Sequence, residues 1–291
     1  MNKTAKYLSL TACALAASLF LSGCGGAEGA DAVAPTVAIT SAASGSTITF
    51  TFTFSEALGT GTGDPLTKEE ITVVGGTAGT FTVVDTTHAT LTVTATAATV
   101  SVSVAASKFA DVSHNFNTVA ASGTYSRTLI TFEETVAPTL TDFGGNASSI
   151  VVDPAGGSGH VAKVIKSATA ATWAGTTVST GTNQSLTTVP LATGSMTMSL
   201  RVWAPAVGMP IRLKLEDASN NTHTLETETT TTVANGWQTL TFNFANQATG
   251  TAAFNSAFTY NKASVFFNFG TDGATAGEKT FYFDDLIFGT N

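Results

Sequence analysis

Charged and aromatic side chains alternate with apolar ones along three segments in the second half of the chain. In Leu200-Arg201-Val202-Trp203, this alternation puts Arg201 and Trp203 on one face of a strand. Two following segments place further charged residues on one face in the same way: Arg212, Lys214, Glu216, Glu226 and Glu228. Aromatic rings stack on the apolar faces of sugar rings, and charged groups form paired hydrogen bonds with hydroxyls. The pattern predicts a saccharide-binding sheet face that carries all seven residues, with Trp173 near a loop as a second stacking platform.

These residues also have plainer interpretations. Alternating charges usually mark the solvated side of a strand, and Trp203 could equally face solvent or core. Trp237 lies in an apolar segment and is predicted to be a core residue. Glu226 and Glu228 could be the carboxylate pair of a glycoside hydrolase, whose carboxyl groups stand about 5–10 Å apart. Their Thr-rich surroundings lack the aromatic and amide residues of such clefts, so we predict a non-catalytic protein.

Strands are the elements that must position these side chains. Residues 47–54 alternate strictly between Thr and apolar residues, which is typical of a strand covering a core on one side. Similar runs follow at 71–74, 79–84, 89–94, 100–105, 162–166, 196–204, 211–216, 222–229, 237–244, 263–269 and 279–288. Short alternating strands separated by turns predict an all-β chain with two sandwiches, at residues 35–128 and 129–291.

Composition narrows the possible functions. The 291 residues include 12 Lys and Arg against 20 Asp and Glu, for a formal net charge of −8. This acidic balance disfavours nucleic-acid binding, which relies on clustered basic residues. The four histidines are scattered and have no neighbouring cysteine, which argues against a zinc site or a Cys/His catalytic site.

The N-terminus has the pattern of a bacterial lipoprotein signal. Lys3 and Lys6 precede an apolar run that ends in Leu21-Ser22-Gly23-Cys24. We predict a signal peptide at 1–23, acylation of Cys24 and a flexible tether at 24–34. The apolar run is too short to span a bilayer comfortably, so the lipid would be the anchor. An ordinary secretory signal is the alternative. Gly25 after the cysteine is compatible with the outer membrane of a Gram-negative bacterium, and we expect the cell surface.

The first sandwich resembles the bacterial immunoglobulin-like domains of cell-surface proteins. The resemblance depends on Ala34-Pro35-Thr36-Val37, Phe54-Ser55-Glu56-Ala57, Ile71-Thr72-Val73 and Phe109-Ala110-Asp111. The loop after Asp111 lacks the glycine that the family often has there, which puts a cation site in that loop in doubt. The resemblance implies a spacer or presentation domain without catalysis of its own.

The second sandwich resembles the jelly-roll carbohydrate-binding modules of secreted glycoside hydrolases and surface glycan-binding proteins. The main motifs are Phe132-Glu133-Glu134, the run Asp142–Ser149, Gly236-Trp237-Gln238-Thr239-Leu240 and Phe281-Tyr282-Phe283-Asp284-Asp285. The resemblance implies polysaccharide binding, with a β-glucan of laminarin type as the expected ligand. It also implies a structural Ca²⁺ ion at Glu133 and Asp284, which could instead be two solvated carboxylates.

The sequence therefore predicts a lipid-anchored protein whose immunoglobulin-like domain presents a polysaccharide-binding jelly roll. Its expected partners are a polysaccharide and, through the anchor, a membrane. Neighbouring glycan-uptake and glycoside hydrolase proteins are candidate further partners. The alternatives are a structural adhesin built from two spacer sandwiches and a jelly-roll glycoside hydrolase.

Overall fold

A computed structural model describes residues 31–61, 64–156 and 159–289 of the chain. The predicted signal peptide, the acylated Cys24 and most of the predicted tether lie outside these residues. Nearly all regular structure consists of strands. Within the described residues, the short exceptions are two 3₁₀ turns and one helical turn: Lys68–Glu70, Thr182–Gln184 and α1 (Gly273–Ala276).

Seven strands form the first sandwich. They are β1 (Val37–Ser44), β2 (Thr47–Phe54), β3 (Ile71–Val74), β4 (Gly76–Val83), β5 (His88–Ala95), β6 (Thr99–Val104) and β7 (Ala121–Ser126). One sheet has the order β1-β2-β5-β4 and the other β3-β6-β7. Ile48, Phe50 and Phe52 are buried because alternation turns them towards the core, while the threonines between them face outwards.

Eleven strands form the second sandwich. They are β8 (Thr128–Ile130), β9 (Thr139–Phe143), β10 (Asn146–Val152), β11 (His160–Lys166), β12 (Gly175–Ser179), β13 (Thr197–Ala204), β14 (Pro210–Asp217), β15 (Asn220–Thr230), β16 (Gly236–Asn243), β17 (Lys262–Phe267) and β18 (Lys279–Phe288). The five-stranded sheet has the order β15-β14-β17-β12-β9. The six-stranded sheet has the order β10-β11-β18-β13-β16, with β8 paired to β18. The two sheets enclose a core of aliphatic and phenylalanine side chains. The prediction of an all-β chain with an immunoglobulin-like sandwich followed by a jelly roll is confirmed.

A single residue, Arg127, joins the two sandwiches, because β7 ends at Ser126 and β8 begins at Thr128. Its guanidinium donates to the carbonyl of Ala97 in the first sandwich and to that of Phe288 in the second. A further contact connects the β1–β2 turn to the jelly roll, where the Gly45 N–H donates to the carbonyl of Pro190 at 2.8 Å. Among the described residues, no helix is long and apolar enough to cross a membrane.

Candidate functional site

A groove of about 660 Å³ lies on the outer face of the five-stranded sheet. Alternation along β14 creates its polar floor, because Ile211, Leu213 and Leu215 point into the core. Arg212, Lys214 and Glu216 point the other way, into the groove. Ser264 and Phe266 of β17 and Thr177 of β12 extend the floor across the sheet. We call this surface the groove; it is lined by polar side chains of β12, β14, β15 and β17 and by the aromatic rings of Phe143, Trp173, Phe266 and Phe269.

An aromatic row crosses the groove. It begins at Trp173, which is 55% exposed and stacks on Phe143 at 6.3 Å between ring centroids. Phe143 meets the edge of Phe266 at 5.5 Å, and Phe266 meets Phe269 at 5.7 Å. The row ends at Arg212, whose guanidinium carbon lies 3.5 Å from the centre of the Phe269 ring. Such rings present apolar faces to a ligand, and the flat guanidinium continues the surface.

Two glycines allow this row to form. At Gly175, an added Cβ would approach the rings of Phe143 and Phe266 to 2.6 and 2.8 Å. At Gly144, which has a φ of +69°, it would lie 2.8 Å from the backbone of Ala174 and 3.0 Å from the Trp173 ring. These glycines let the aromatic side chains lie close against the backbone, which a larger residue would prevent.

The charges in the groove neutralise one another. Arg212 donates to Glu226 and Glu228 at 3.2 and 3.1 Å, and Lys214 contacts Glu216 at 2.8 Å. Lys262 approaches the other oxygen of Glu216 at 3.9 Å. Three cationic groups thus face three carboxylates, and a fourth carboxylate of the groove, Asp142, accepts hydrogen bonds from Ser148 and Thr176. This arrangement orients donors and acceptors for hydroxyl groups while leaving little net charge for an ionic ligand.

The structure places six of the eight predicted ligand residues on this side of the jelly roll. Trp173, Arg212, Lys214, Glu216 and Glu226 line the groove, and Glu228 contacts Arg212 at its edge. Whether they bind a ligand stays a prediction. Phe143, Phe266 and Phe269 were missing from the sequence-based set. The sequence offered only a weak signal for them, since Phe266 and Phe269 stand in an apolar segment with no clear polar side.

The prediction that Arg201 and Trp203 share this face is wrong. Both belong to β13 in the six-stranded sheet, on the opposite side of the jelly roll. There Trp203 meets Tyr282 edge to face at 5.3 Å. Trp237 was predicted to be a core residue, and this is wrong. It also lies on the opposite face, because alternation along β16 turns it away from the side on which Leu240 and Phe242 are buried. Alternation gives the two sides of a strand but does not say to which sheet the strand belongs.

Arg201 is held between two carboxylates on the opposite face. It donates to Asp153 and Asp284, both at 2.9 Å, and lies 3.9 Å over the Trp237 ring. Trp237 donates its indole N–H to Asp153 at 2.9 Å. Burial opposes ionisation of Asp153, but hydrogen bonds from Ala155, Trp237 and Arg201 hold its pKa below the usual value. Burial raises the pKa of Asp284 to about 6, and the charge of Asp285 adds to this.

The residues predicted to hold calcium have other partners. Glu133 accepts hydrogen bonds from the backbone and the ring of His160. Asp284 accepts from Arg201, a cation that competes with any metal at this carboxylate. This arrangement does not fit a Ca²⁺ ion shared by the two residues, since calcium takes 6–8 oxygen ligands. In the same segment, Glu134 has one buried carboxylate oxygen with no hydrogen-bond partner, which fits a cation better.

The first sandwich has two further candidate sites, an acidic cluster and an apolar cavity. Asp31, Glu56 and Asp111 form the one group of three acidic, His or Cys residues within 4.8 Å among the described residues. Within it, Asp111 is accounted for by hydrogen bonds from Ser113 and Asn115. A cavity of about 370 Å³ also lies at one end of the sandwich, with largely apolar walls. Neither combines aromatic platforms with paired charges as the groove does.

Several solved structures are similar to the chain at low identity. The family 11 carbohydrate-binding module of the cellulase Lic26A-Cel5E from Clostridium thermocellum is 15% identical, with a TM-score of 0.37; the match covers 56% of this chain and 94% of that chain. SGBP-B from a xyloglucan utilization locus of Bacteroides uniformis is 13% identical, with a TM-score of 0.35, covering 88% and 73%. A CBM29-2 mutant complexed with mannohexaose is 6% identical, with a TM-score of 0.34, covering 56% and 90%.

No curated protein matches the chain by sequence. The solved structures are remote likenesses that do not say what this chain binds. The family comparison is more definite, because residues 31–128 match the model of the bacterial Ig-like domain. The first sandwich is thus similar to the bacterial Ig-like domain over its whole length.

Proposed function

We propose that this chain is a non-catalytic polysaccharide-binding protein whose groove holds a neutral glycan. The observation that carries the proposal is the aromatic row from Trp173 to Phe269, which ends at Arg212 inside the groove. Aromatic faces bind the C–H faces of sugar rings, and the neighbouring Arg, Lys and Glu side chains supply hydrogen bonds to hydroxyls. This combination suits a chain of sugars better than a small apolar ligand.

The charge arrangement supports a neutral ligand. Because the cations of the groove are already paired with Glu216, Glu226 and Glu228, a polyuronate would meet carboxylates as well as ammonium groups. A neutral polymer avoids that repulsion and can still accept and donate hydrogen bonds. A β-glucan of laminarin type is the specific ligand we propose.

The glycosidase alternative has less support from the geometry. Glu226 and Glu228 both accept hydrogen bonds from Arg212. A catalytic pair needs one carboxyl group at the leaving oxygen and the other at the anomeric carbon or a water. With one guanidinium bridging them, both carboxylates point one oxygen at the same cation rather than at opposite sides of a bound sugar. Release of reducing ends from laminarin by the purified protein would restore the enzyme hypothesis.

Affinity electrophoresis of residues 25–291 in gels containing polysaccharide tests the proposal directly. The panel contains laminarin, mixed-linkage glucan, xylan, mannan and alginate. We expect retardation by a neutral glucan and none by alginate. Migration unchanged in every gel would contradict glycan binding and favour the adhesin alternative. Both sandwiches are kept because Arg127 and β8 connect them.

The proposal includes an acylated Cys24 that anchors the protein to the outer membrane, with the groove on the cell surface. Labelled palmitate should enter the wild-type protein in cells and not the Cys24→Ser variant. External protease should cleave the protein on intact cells if it faces outwards. Protection on intact cells, with cleavage after lysis, would place it on the periplasmic side.

The predicted calcium ion is tested separately, with Glu134 in place of Glu133 as the proposed ligand. The metal-free protein should melt at a lower temperature than the protein in excess Ca²⁺, because a ligand bound to the folded state stabilises it. Glu134→Gln should abolish that difference, whereas Glu133→Gln should leave it. Identical melting temperatures with and without Ca²⁺ would contradict a structural metal.

A further inference from the structure

The segment after β17 breaks the alternation of its strand. In β17, Val265 and Phe267 point into the core and Phe266 points into the groove. A continuing strand would turn Asn268 outwards and Phe269 inwards. Phe269 instead lines the groove, next to Phe266 and under Arg212. The chain must therefore reset its alternation between Phe267 and Phe269.

The alternation changes at Asn268, where the backbone is kinked. Its φ is +47°, in the left-handed region that few residues other than glycine, asparagine and aspartate adopt without strain. The kink turns the carbonyl groups of Phe267 and Asn268 towards one point, whereas successive carbonyls of a regular strand diverge. Two converging carbonyl dipoles repel each other unless a shared donor lies between them.

Lys166 supplies that donor from the other sheet. It is the last residue of β11, is 1% exposed, and points inwards. Its ammonium group donates to the carbonyl of Phe267 at 3.1 Å and to that of Asn268 at 2.9 Å. Burying an ammonium group is costly unless its hydrogen bonds are satisfied, so a buried lysine with this geometry has a specific structural role. The second carbonyl belongs to the peptide that precedes Phe269, and fixing its plane restricts the backbone of Phe269.

We propose that Lys166 is a positioning residue for the groove, which acts through Asn268 to set Phe269 beneath Arg212. The segment after the kink is also hydrogen-bonded to the other end of the aromatic row. The Gly270 N–H donates to the carbonyl of Thr172, next to Trp173, at 3.0 Å. Lys166 itself does not line the groove. The effect of Lys166 on affinity rests on the proposed function, but its effect on Phe269 does not.

The test combines Lys166→Met, Phe269→Ala and the double variant in residues 25–291, with laminarihexaose as the probe. Methionine keeps the length of the side chain and removes the donor. We expect Lys166→Met to raise Kd by roughly tenfold, and to have almost no effect when Phe269 is already alanine, because coupled residues act non-additively. Lys163→Met is the matched control, since Lys163 lies on the same strand with its side chain facing away from the core. Effects of Lys166→Met and Phe269→Ala that multiply would contradict the proposal.

A second readout needs no glycan. The Arg212 Nε–H resonance in NMR reports the ring current of Phe269, and Lys166→Met should move it towards its position in Phe269→Ala. An unmoved resonance overturns the proposal, whether or not the protein binds sugar. If the wild-type protein does not bind the glycan, the proposed function is wrong. The Arg212 resonance then tests the positioning role of Lys166 by itself.

A pair of variants at Asn268 covers the case in which Lys166→Met does not fold. Asn268→Gly accepts the positive φ and should leave the Arg212 resonance and the Kd near their wild-type values. Asn268→Val disfavours that backbone conformation and should shift both. Equal behaviour of the two variants would show that the kink does not position Phe269.

Discussion

The two outer faces of the jelly roll carry clusters of the same residue types in different surroundings. Each has an arginine that lies over an aromatic ring and contacts two carboxylates. Arg212 lies over Phe269 and contacts Glu226 and Glu228. Arg201 lies over Trp237 and contacts Asp153 and Asp284. The first arrangement lines the groove, whereas the carboxylates of the second are nearly buried.

The difference lies in what surrounds each arginine. Asp153, at the end of β10, binds both Arg201 and the Trp237 indole, and its side chain is only 9% exposed. Asp284 is similarly covered, so both carboxylates of the cluster on the six-stranded sheet are nearly buried, although Arg201 itself is 28% exposed. Around Arg212, Glu228 is 32% exposed and Trp173 leaves the neighbouring surface open. The comparison indicates that an arginine stabilises the fold when its two carboxylates are covered, and can bind a ligand when they are open to solvent.

The largest expected effect is the difference in stability between variants that lack Arg201 and variants that lack Arg212. Arg201→Met leaves two nearly buried carboxylates without their cation, and we expect it to lower the free energy of unfolding by about 3–5 kcal/mol. Arg212→Met leaves carboxylates that water can reach, and should cost about 1 kcal/mol or less. Urea denaturation of both variants measures the difference. Equal losses would show that the two clusters do not differ in this way.

The stability that Asp284 contributes to the Arg201 cluster should depend on pH. Burial gives Asp284 a pKa of about 6 in the folded protein, against an ordinary value of 3.8 for an exposed aspartate, so the folded state holds its proton more tightly. The stability that this group contributes is fully present below about pH 4 and is lost as the pH rises through 6. Asparagine does not titrate. The stability of Asp284→Asn relative to wild type should therefore increase by roughly 2–3 kcal/mol between pH 4 and pH 7.

Chemical denaturation at several pH values tests this expectation. Asp217→Asn serves as the control, because hydrogen bonds from Ser219 lower the pKa of Asp217 and give the opposite sign. Its stability relative to wild type should decrease as the pH rises from acid. A difference between Asp284→Asn and wild type that stays constant with pH would mean that the buried carboxyl ionises normally.

The tryptophans provide the test of binding. Trp173→Ala should weaken glycan binding by about thirtyfold, the effect of losing a central aromatic contact of about 2 kcal/mol. Trp203→Ala, on the opposite face, should leave affinity unchanged and lower stability instead. Isothermal titration with laminarihexaose, on variants checked for folding by circular dichroism, distinguishes the two. A larger affinity loss for Trp203→Ala would move the binding face to the six-stranded sheet.

Strict alternation made much of this fold predictable. The strand at 279–288 was predicted with the bounds it has, and those at 196–204 and 211–216 to within one residue at each end. By contrast, six strands were missed: β1, β7, β8, β9, β10 and β12. The strand Gly175–Ser179 is buried throughout and consists largely of small and hydroxyl residues, so it shows no apolar face. A pattern of period two needs one face in water, and a strand covered on both sides lacks it.

The site was harder to predict because it depends on sheet membership and on one kink. The side of each strand on which Arg201 and Arg212 lie followed from the sequence, but the sheet to which each strand belongs depends on long-range pairing. Phe269 was predicted to end a strand that actually stops at Phe267. The kink at Asn268 depends on Lys166, about a hundred residues earlier, and local sequence carries no trace of that contact. Trp237 could have been placed correctly, since Leu240 and Phe242 already define the opposite side of its strand.

The smallest expected effect is the response of glycan binding to salt, and it sharpens the comparison of the two faces. In the groove, Arg212, Lys214 and Lys262 are each already paired with a carboxylate, so a neutral glycan would displace no net charge. Raising NaCl from 50 to 500 mM shortens the screening length from roughly 14 to 4 Å but should change the Kd for laminarihexaose by less than about twofold. Glu226→Gln leaves Arg212 less neutralised, and should introduce weak, salt-sensitive retardation by alginate. A strong salt dependence in the wild-type protein would mean that one of these cations is available to an anionic ligand, and that the groove binds a charged polysaccharide.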